Sequence, residues 1–228
     1  MIPLYDTVRT RKFPFVNVLL IAINVLAFLY ELQLGPDALE HFIFAWGAVP
    51  ADLTNNLSGA WMTIFTSMFL HGGWFHLLSN MWFLHIFGDN VEMRMGGVRY
   101  FIFYLLSGVA AVFLQAYILP TSTVPMIGAS GAIAGVLGAY MISFPRSRIA
   151  SLVPIIFIFT IIEVPAVIFL VLWFLSQLYS GLVAMQGASA SGIAWWAHIG
   201  GFIFGVLMVF FFAKRTTDRT YLGGEHDA

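Results

Sequence analysis

Ser130 stands in Gly128-Ala129-Ser130-Gly131, between small residues at the start of an apolar run. A hydroxyl in that setting becomes a nucleophile when a neighbouring base takes its proton. His198 is the candidate base, six positions into another apolar run, in Trp195-Trp196-Ala197-His198-Ile199-Gly200-Gly201. An imidazole inside an apolar span calls for a polar partner, and in its neutral form it can accept a serine proton. The pair would then support acyl transfer. The same two residues would equally serve as a structural hydrogen bond between helices, and spacing alone leaves both readings open. A third group lies in His71-Gly72-Gly73-Trp74-Phe75-His76-Leu77-Leu78-Ser79-Asn80. His76 and Asn80 are four apart, hence on one helical face, and both carry side-chain donors. Preorganised donors stabilise an oxyanion by about 2.7–4 kcal/mol each, and the Ser130 backbone N–H at a helix N-terminus would add another. Helix capping or zinc ligation are the alternatives for these residues. Zinc fits poorly, since the chain has no Cys and no His-Glu-x-x-His.

Glycine patterning indicates how these groups are brought together. Gly131, Gly135 and Gly138 fall in one apolar run, with Ser130 and Ala134 one turn apart. Each helical Gly costs about 1 kcal/mol relative to Ala, and the compensation in a membrane helix is close backbone approach through small residues spaced by four. Gly201 and Gly205 follow His198 at i+3 and i+7, on its own face. Packing of the two small-residue faces would bring Ser130 and His198 together at matching depth.

The chain around these runs is 60% hydrophobic and 9% charged over 228 residues, with a mean hydropathy of +0.89. This is the composition of a polytopic helical membrane protein, and its continuous apolar runs disfavour an outer-membrane barrel. A net charge of -1 gives no sign of nucleic-acid binding. The expected fold is an all-α bundle of six spans, near 15–32, 74–90, 98–119, 128–143, 165–182 and 193–213. These make a membrane domain over 15–213, between a polar segment 1–14 and a polar tail 214–228. Segment 33–73 is amphipathic and is expected in the interface or packed on the bundle. The β-branched run 149–162, interrupted by Pro154, is too short to cross about 30 Å of hydrocarbon comfortably and is expected to be interfacial or half-inserted. All 10 basic residues, from Arg9 to Arg219, then fall on one side, which puts both termini in the cytoplasm. Ser130 would lie toward the outer leaflet. The stretch 187–192, rich in Gly, Ser and Ala, could act as a hinge beside a fifth span that carries bulky Trp173 and Phe174.

In order along the chain, these motifs resemble those of the rhomboid family of intramembrane serine proteases. Gly128–Gly131 is similar to the family's Gly-x-Ser-Gly, His76 and Asn80 to its His-x-x-x-Asn, and His71 to the His preceding it. Ala197, His198, Gly201 and Gly205 are similar to its Ala-His-x-x-Gly-x-x-x-Gly, and Glu92-Met93-Arg94-Met95-Gly96 to its acidic turn. The resemblance implies an intramembrane serine endopeptidase with a Ser130–His198 dyad and His76 and Asn80 on the oxyanion. His71, Gly128, Gly131, Gly201 and Gly205 would be supporting residues. It also implies substrates that are transmembrane segments of other proteins, unwound near the outer face and cut at small residues. No metal or other cofactor is implied. The expected location is a prokaryotic plasma membrane, with the lipid bilayer as surroundings. Two positions depart from the family pattern: Met62 follows Trp61 where Arg is frequent, and Ala134 stands where some members stack an aromatic on the catalytic His. The competing expectations are a non-catalytic scaffold for client helices, which loss of Ser130 or His198 would mark, and a small transporter, which mid-membrane charges or broken helices in symmetric halves would mark.

Overall fold

The computed structural model describes residues 1–8, 10, 12–155, 158–186 and 192–214. Its long helices are α1 (Phe15–Glu31), α6 (Trp74–Met95), α7 (Gly97–Ile118), α8 (Ser130–Ser143), α9 (Ala166–Met185) and α10 (Trp195–Phe212). They correspond to the six expected spans. α7, α9 and α10 are long and apolar enough to cross a membrane on length and composition alone, and α1 and α8 are shorter apolar helices. α6 continues past residue 90, the expected end of its span, to Met95, and Gly96, at φ 84°, makes the break before α7. A side chain is strained at that φ, so the corner falls on a glycine.

α8 is the axis of the bundle. Every residue from Gly131 to Tyr140 is buried, on all sides of the helix. A 14-residue helix is only about 21 Å long, short of the hydrocarbon thickness. The α8–α10 seam is built of backbone on backbone. A Cβ on Gly201 would collide with the Gly131 carbonyl oxygen, and one on Gly205 with the Gly135 carbonyl oxygen. On another side of α8, a Cβ on Gly135 would strike Ser107 of α7. The small-residue faces read in the sequence do meet, and they leave no room for a methyl group.

α1 is fastened at both ends by carboxylates. The Glu92 carboxylate, from α6, accepts the Asn17 N–H at 2.7 Å and the Val16 N–H at 3.1 Å, at the exposed donors of the α1 N-terminus. Asn17 also donates to the Leu84 carbonyl at 3.0 Å and accepts from the Tyr100 hydroxyl at 2.7 Å. These bonds link α1, α6 and α7. At the other end, Glu31 accepts the His71 backbone N–H at 3.2 Å.

Segment 33–73 packs on the bundle. It contains α2 (Pro36–Trp46), α3 (Pro50–Asn55), α4 (Leu57–Ala60), α5 (Thr63–Thr66) and a single 3-10 turn at Ser67–Phe69. Ala48, Leu53, Ala60 and Ile64 form a separate small core with Val112, Ala116 and Met126. Ala48 and Met126 exchange backbone hydrogen bonds at 3.0 and 2.8 Å. Met62 is exposed. Thr66 ties the segment to α2, its hydroxyl donating to the Trp46 carbonyl at 2.7 Å.

The described residues of the run 149–162 lie in two antiparallel β-strands. β1 (Ile2–Asp6), β2 (Arg148–Ile155) and β3 (Ile158–Pro165) form an antiparallel sheet in the order β1-β2-β3. Glu163 pairs with Ala150 across β2–β3. The sheet lies against the C-terminal ends of α6 and α8, remote from Ser130. Asp6 accepts hydrogen bonds from the Asn90 amide at 2.8 Å and from the Tyr140 hydroxyl, and the Trp82 indole N–H donates to the Pro3 carbonyl at 2.6 Å.

Candidate active site

Ser130 is the first residue of α8. Gly128, two residues earlier, sits at φ 117° and donates its N–H to the Ser67 carbonyl at 2.9 Å. A Cβ at Gly128 would fall 2.6 Å from His76 Nε2, so both its dihedral angle and the close approach of His76 require glycine. Ser130 Oγ lies 2.8 Å from His198 Nε2. This joins the start of α8 to the first turn of α10, across the glycine seam.

The second ring nitrogen, His198 Nδ1, lies 2.7 Å from Gln177 Oε1 on α9. An amide oxygen only accepts, so Nδ1 carries the hydrogen and Nε2 accepts from the serine hydroxyl. Trp173 of α9 lies tilted over the imidazole at 6.1 Å between ring centroids, and Trp195 meets it edge-on at 6.0 Å. These two indoles flank His198, while Ala134 is buried within 3.3 Å of where a Cβ on Gly201 would be. Sequence reasoning did not single out Gln177. The available signal was a single Gln in the apolar stretch Ala166–Met185, because an amide within a membrane helix needs a partner.

His76 and Asn80 flank Gly128 from α6. His76 Nδ1 accepts the Gly72 N–H at 3.3 Å, which leaves Nε2–H as the donor, directed at Gly128. Asn80 Nδ2 lies 3.6 Å from the position of a Cβ on Gly128 and is buried with no hydrogen-bond partner among the described residues. The Ser130 N–H, at a helix N-terminus, is oriented outward from the helix. His76 and Asn80 thus bring two side-chain donors to Gly128, two residues before Ser130. His71 sits behind them, its ring 5.1 Å from that of His76 and edge-on to it. Both of its ring nitrogens are buried without a hydrogen-bond partner among the described residues. A small cleft of about 30 Å³, lined in part by Ser67, Met126, Gly128, Ser130 and Ala197, opens beside the hydroxyl. No group of three or more His, Cys, Asp or Glu side chains gathers at metal-binding distance among the described residues.

A polytopic helical membrane protein with a hydrogen-bonded Ser–His pair at the ends of two glycine-seamed helices is the class defined by these features. A family profile described as the Rhomboid domain matches residues 58–215, and the chain belongs to the rhomboid family. Rhomboid-like protein 11, chloroplastic, of Arabidopsis thaliana is 36% identical over 112 residues, which are 49% of this chain and 39% of that protein. RHOMBOID-like protein 1 of Arabidopsis thaliana is 29% identical over 188 residues, 80% of this chain and 41% of that protein. The putative rhomboid protease YdcA of Bacillus subtilis is 28% identical over 136 residues, 59% of this chain and 68% of that protein. The chain thus spans about two fifths of the length of the two plant relatives. Some relatives carry chloroplastic or mitochondrial names, others do not.

Proposed function

We infer that the chain is an intramembrane serine endopeptidase that cleaves transmembrane segments of other membrane proteins. The observation that carries this reading is the 2.8 Å contact of Ser130 Oγ with His198 Nε2, with Nδ1 occupied by an acceptor. In the reaction, Ser130 Oγ attacks the scissile carbonyl carbon as Nε2 takes its proton. The carbonyl oxygen becomes an oxyanion, held by His76 Nε2–H, Asn80 Nδ2–H and the Ser130 N–H. Protonated His198 gives its proton to the leaving amine, which breaks the C–N bond and leaves an acyl-enzyme. Water, deprotonated by His198, then releases the acid and restores Ser130. The small cleft suits a small side chain next to the cut bond. The substrate helix must unwind there, because a helical peptide bond is shielded by its own hydrogen bonds.

The orientation follows from charge. Arg94, Arg99, Arg146, Arg148 and Lys214 lie at the sheet end of the bundle, where the Lys214 N–H donates to the Arg94 carbonyl at 3.0 Å. By the positive-inside rule that end faces the cytoplasm. Ser130 then opens toward the outer face, in our reading of a prokaryotic plasma membrane. The test is cleavage of a model transmembrane substrate in proteoliposomes by purified protein and by Ser130→Ala, with membrane proteomics of cells carrying each. Loss of cleavage in a folded Ser130→Ala protein is expected. Equal cleavage by both would overturn the reading in favour of a non-catalytic scaffold.

A further inference from the structure

α9 is the least embedded of the three long apolar helices, 28% buried against 44% for α7 and for α10. It nevertheless delivers a buried polar group to the site. Gln177 Nε2 donates to the Ser176 hydroxyl at 3.0 Å, and that hydroxyl donates to the Trp173 carbonyl at 2.6 Å. With its nitrogen so engaged, the amide presents its oxygen to His198 Nδ1 at 2.7 Å. The orientation of the amide is thereby determined within α9 itself, independently of the imidazole.

Resting on the assignment of Ser130 and His198 as nucleophile and base, we propose that Gln177 is the positioning residue of this site. It is a neutral acceptor that holds His198 in the Nδ1–H tautomer and ties the base to α9. A buried carboxylate has this place in a Ser-His-Asp triad, where it both orients the ring and stabilises the imidazolium, and amidating it lowers kcat about 10⁴-fold by selecting the wrong tautomer. Gln177 has its amide oxygen turned to the ring, so it selects the right tautomer, and it adds no full charge. A second consequence is mechanical. Any outward movement of α9 that admits a substrate withdraws the Nδ1 acceptor, so the base is fully oriented only with α9 closed against α10.

The experiment compares the full chain in proteoliposomes with Gln177→Leu, Gln177→Glu and Ser130→Ala. It measures kcat, KM, the pH profile of kcat/KM and the melting midpoint. Gln177→Leu is expected to lower kcat by about ten- to a hundredfold, within the range ascribed to general-base catalysis, with KM changed less than about twofold. Gln177→Glu keeps an acceptor and adds negative charge facing Nδ1, which favours the imidazolium. It is expected to restore kcat at alkaline pH and to move the acid limb of kcat/KM to higher pH. A purely structural Gln177 would lower the melting midpoint in both variants and leave the acid limb in place, and that result overturns the proposal. So does wild-type kcat in a folded Gln177→Leu protein. If Gln177→Leu fails to fold, the acid limb of Gln177→Glu decides alone. Undiminished cleavage by Ser130→Ala would instead refute the protease assignment itself, whatever Gln177 does.

Discussion

Gly201→Ala tests whether the glycine seam sets the geometry of the Ser130–His198 pair. The added methyl would overlap the Gly131 carbonyl oxygen and come within 3.0 Å of Gly131 C and 3.3 Å of Ala134 Cβ. Unbonded carbons rest about 3.5–4.0 Å apart, and the obstructing atoms include backbone, which cannot rotate aside. α8 and α10 must therefore separate by about 1 Å at this level. Overpacking of this kind costs about 1–3 kcal/mol, or about 2–12 °C in melting midpoint for a chain of this size. Gly131 adjoins Ser130, and Gly201 lies one turn beyond His198. The 2.8 Å hydrogen bond would consequently open toward about 3.8 Å, beyond the length at which it is a hydrogen bond. A misplacement of about 1 Å at reacting groups costs about 10²-fold in rate. Gly205→Ala, which meets Gly135 C at 2.7 Å, should destabilise as much but act one turn further from the pair, with a smaller loss of rate. Gly35→Ala, with nothing within 4 Å of the new methyl, is the neutral control. The assay is thermal unfolding in detergent alongside cleavage in proteoliposomes. A Gly201→Ala protein that melts and cuts like wild type would refute the reasoning.

Ser130→Ala and His198→Ala should each abolish cleavage, and the double variant should be no slower than either, since groups acting as one unit are non-additive; losses that multiply would separate the two roles. Burial, with the Asp89 charge adding to it, raises the Asp6 carboxyl to about 7 despite the opposing Tyr140 hydrogen bond. Between about pH 4 and 7 the folded chain then keeps a proton that the unfolded chain has lost, so stability falls as pH rises through that window. Asp6→Asn should flatten the dependence of melting midpoint on pH, and an unchanged slope would reject the assignment. Phe174 packs against Phe202 at 4.9 Å without touching His198, whereas Trp173 packs against both. Phe174→Ala should raise cleavage of an embedded substrate by easing α9 outward, and Trp173→Ala should lower kcat; the reverse order, or equal effects, would count against a gate at α9.

The helices were legible because each depends on a local signal. Apolar runs of span length and the Gly131/Gly135 and Gly201/Gly205 spacings are all visible in sequence order. Ser130, His198, His76 and Asn80 were legible for the same reason, each standing out as polar in an apolar or Gly-rich setting. The sheet was not. Its first strand comes from residues 2–6 and its partner from residues 148–155, so the pairing exists only once the bundle has brought the two together. The run 149–162 is apolar on both faces, without the alternation that distinguishes a strand from a short buried helix. Gln177 was overlooked because its meaning depends on which way α9 is turned, and helical spacing within Ala166–Met185 does not reveal that. The expectation of a hinge at 187–192 falls mainly outside the described residues, Gly192 alone being described, with φ 63°.

The site divides by how its parts are held. Ser130 and His198 stand on helices whose backbones touch at Gly131 and Gly201, with no side chain between them to rearrange. The proposed side-chain oxyanion donors, His76 and Asn80, stand on α6, which is tied to α1 through Glu92 and Asn17. α9 meets α10 differently, through the rings of Trp173 and Phe174, the Gln177 amide, and Trp195 and Trp196 against Gly181. Such contacts can part and re-form by rotation of side chains, whereas a backbone seam has no intermediate packing. The proposed protease therefore keeps its nucleophile, base and oxyanion donors rigid while α9 moves. The only catalytic requirement assigned to the moving part is orientation of the imidazole. A substrate that holds α9 open would be bound without being cut, and release of α9 onto α10 would start the chemistry. This order of events predicts that a disulfide engineered to lock α9 against α10 leaves Ser130 reactive toward a small water-soluble acylating probe while blocking cleavage of the transmembrane substrate. A lock that silences both would place α9 in the chemistry itself, and one that silences neither would place substrate entry elsewhere in the bundle.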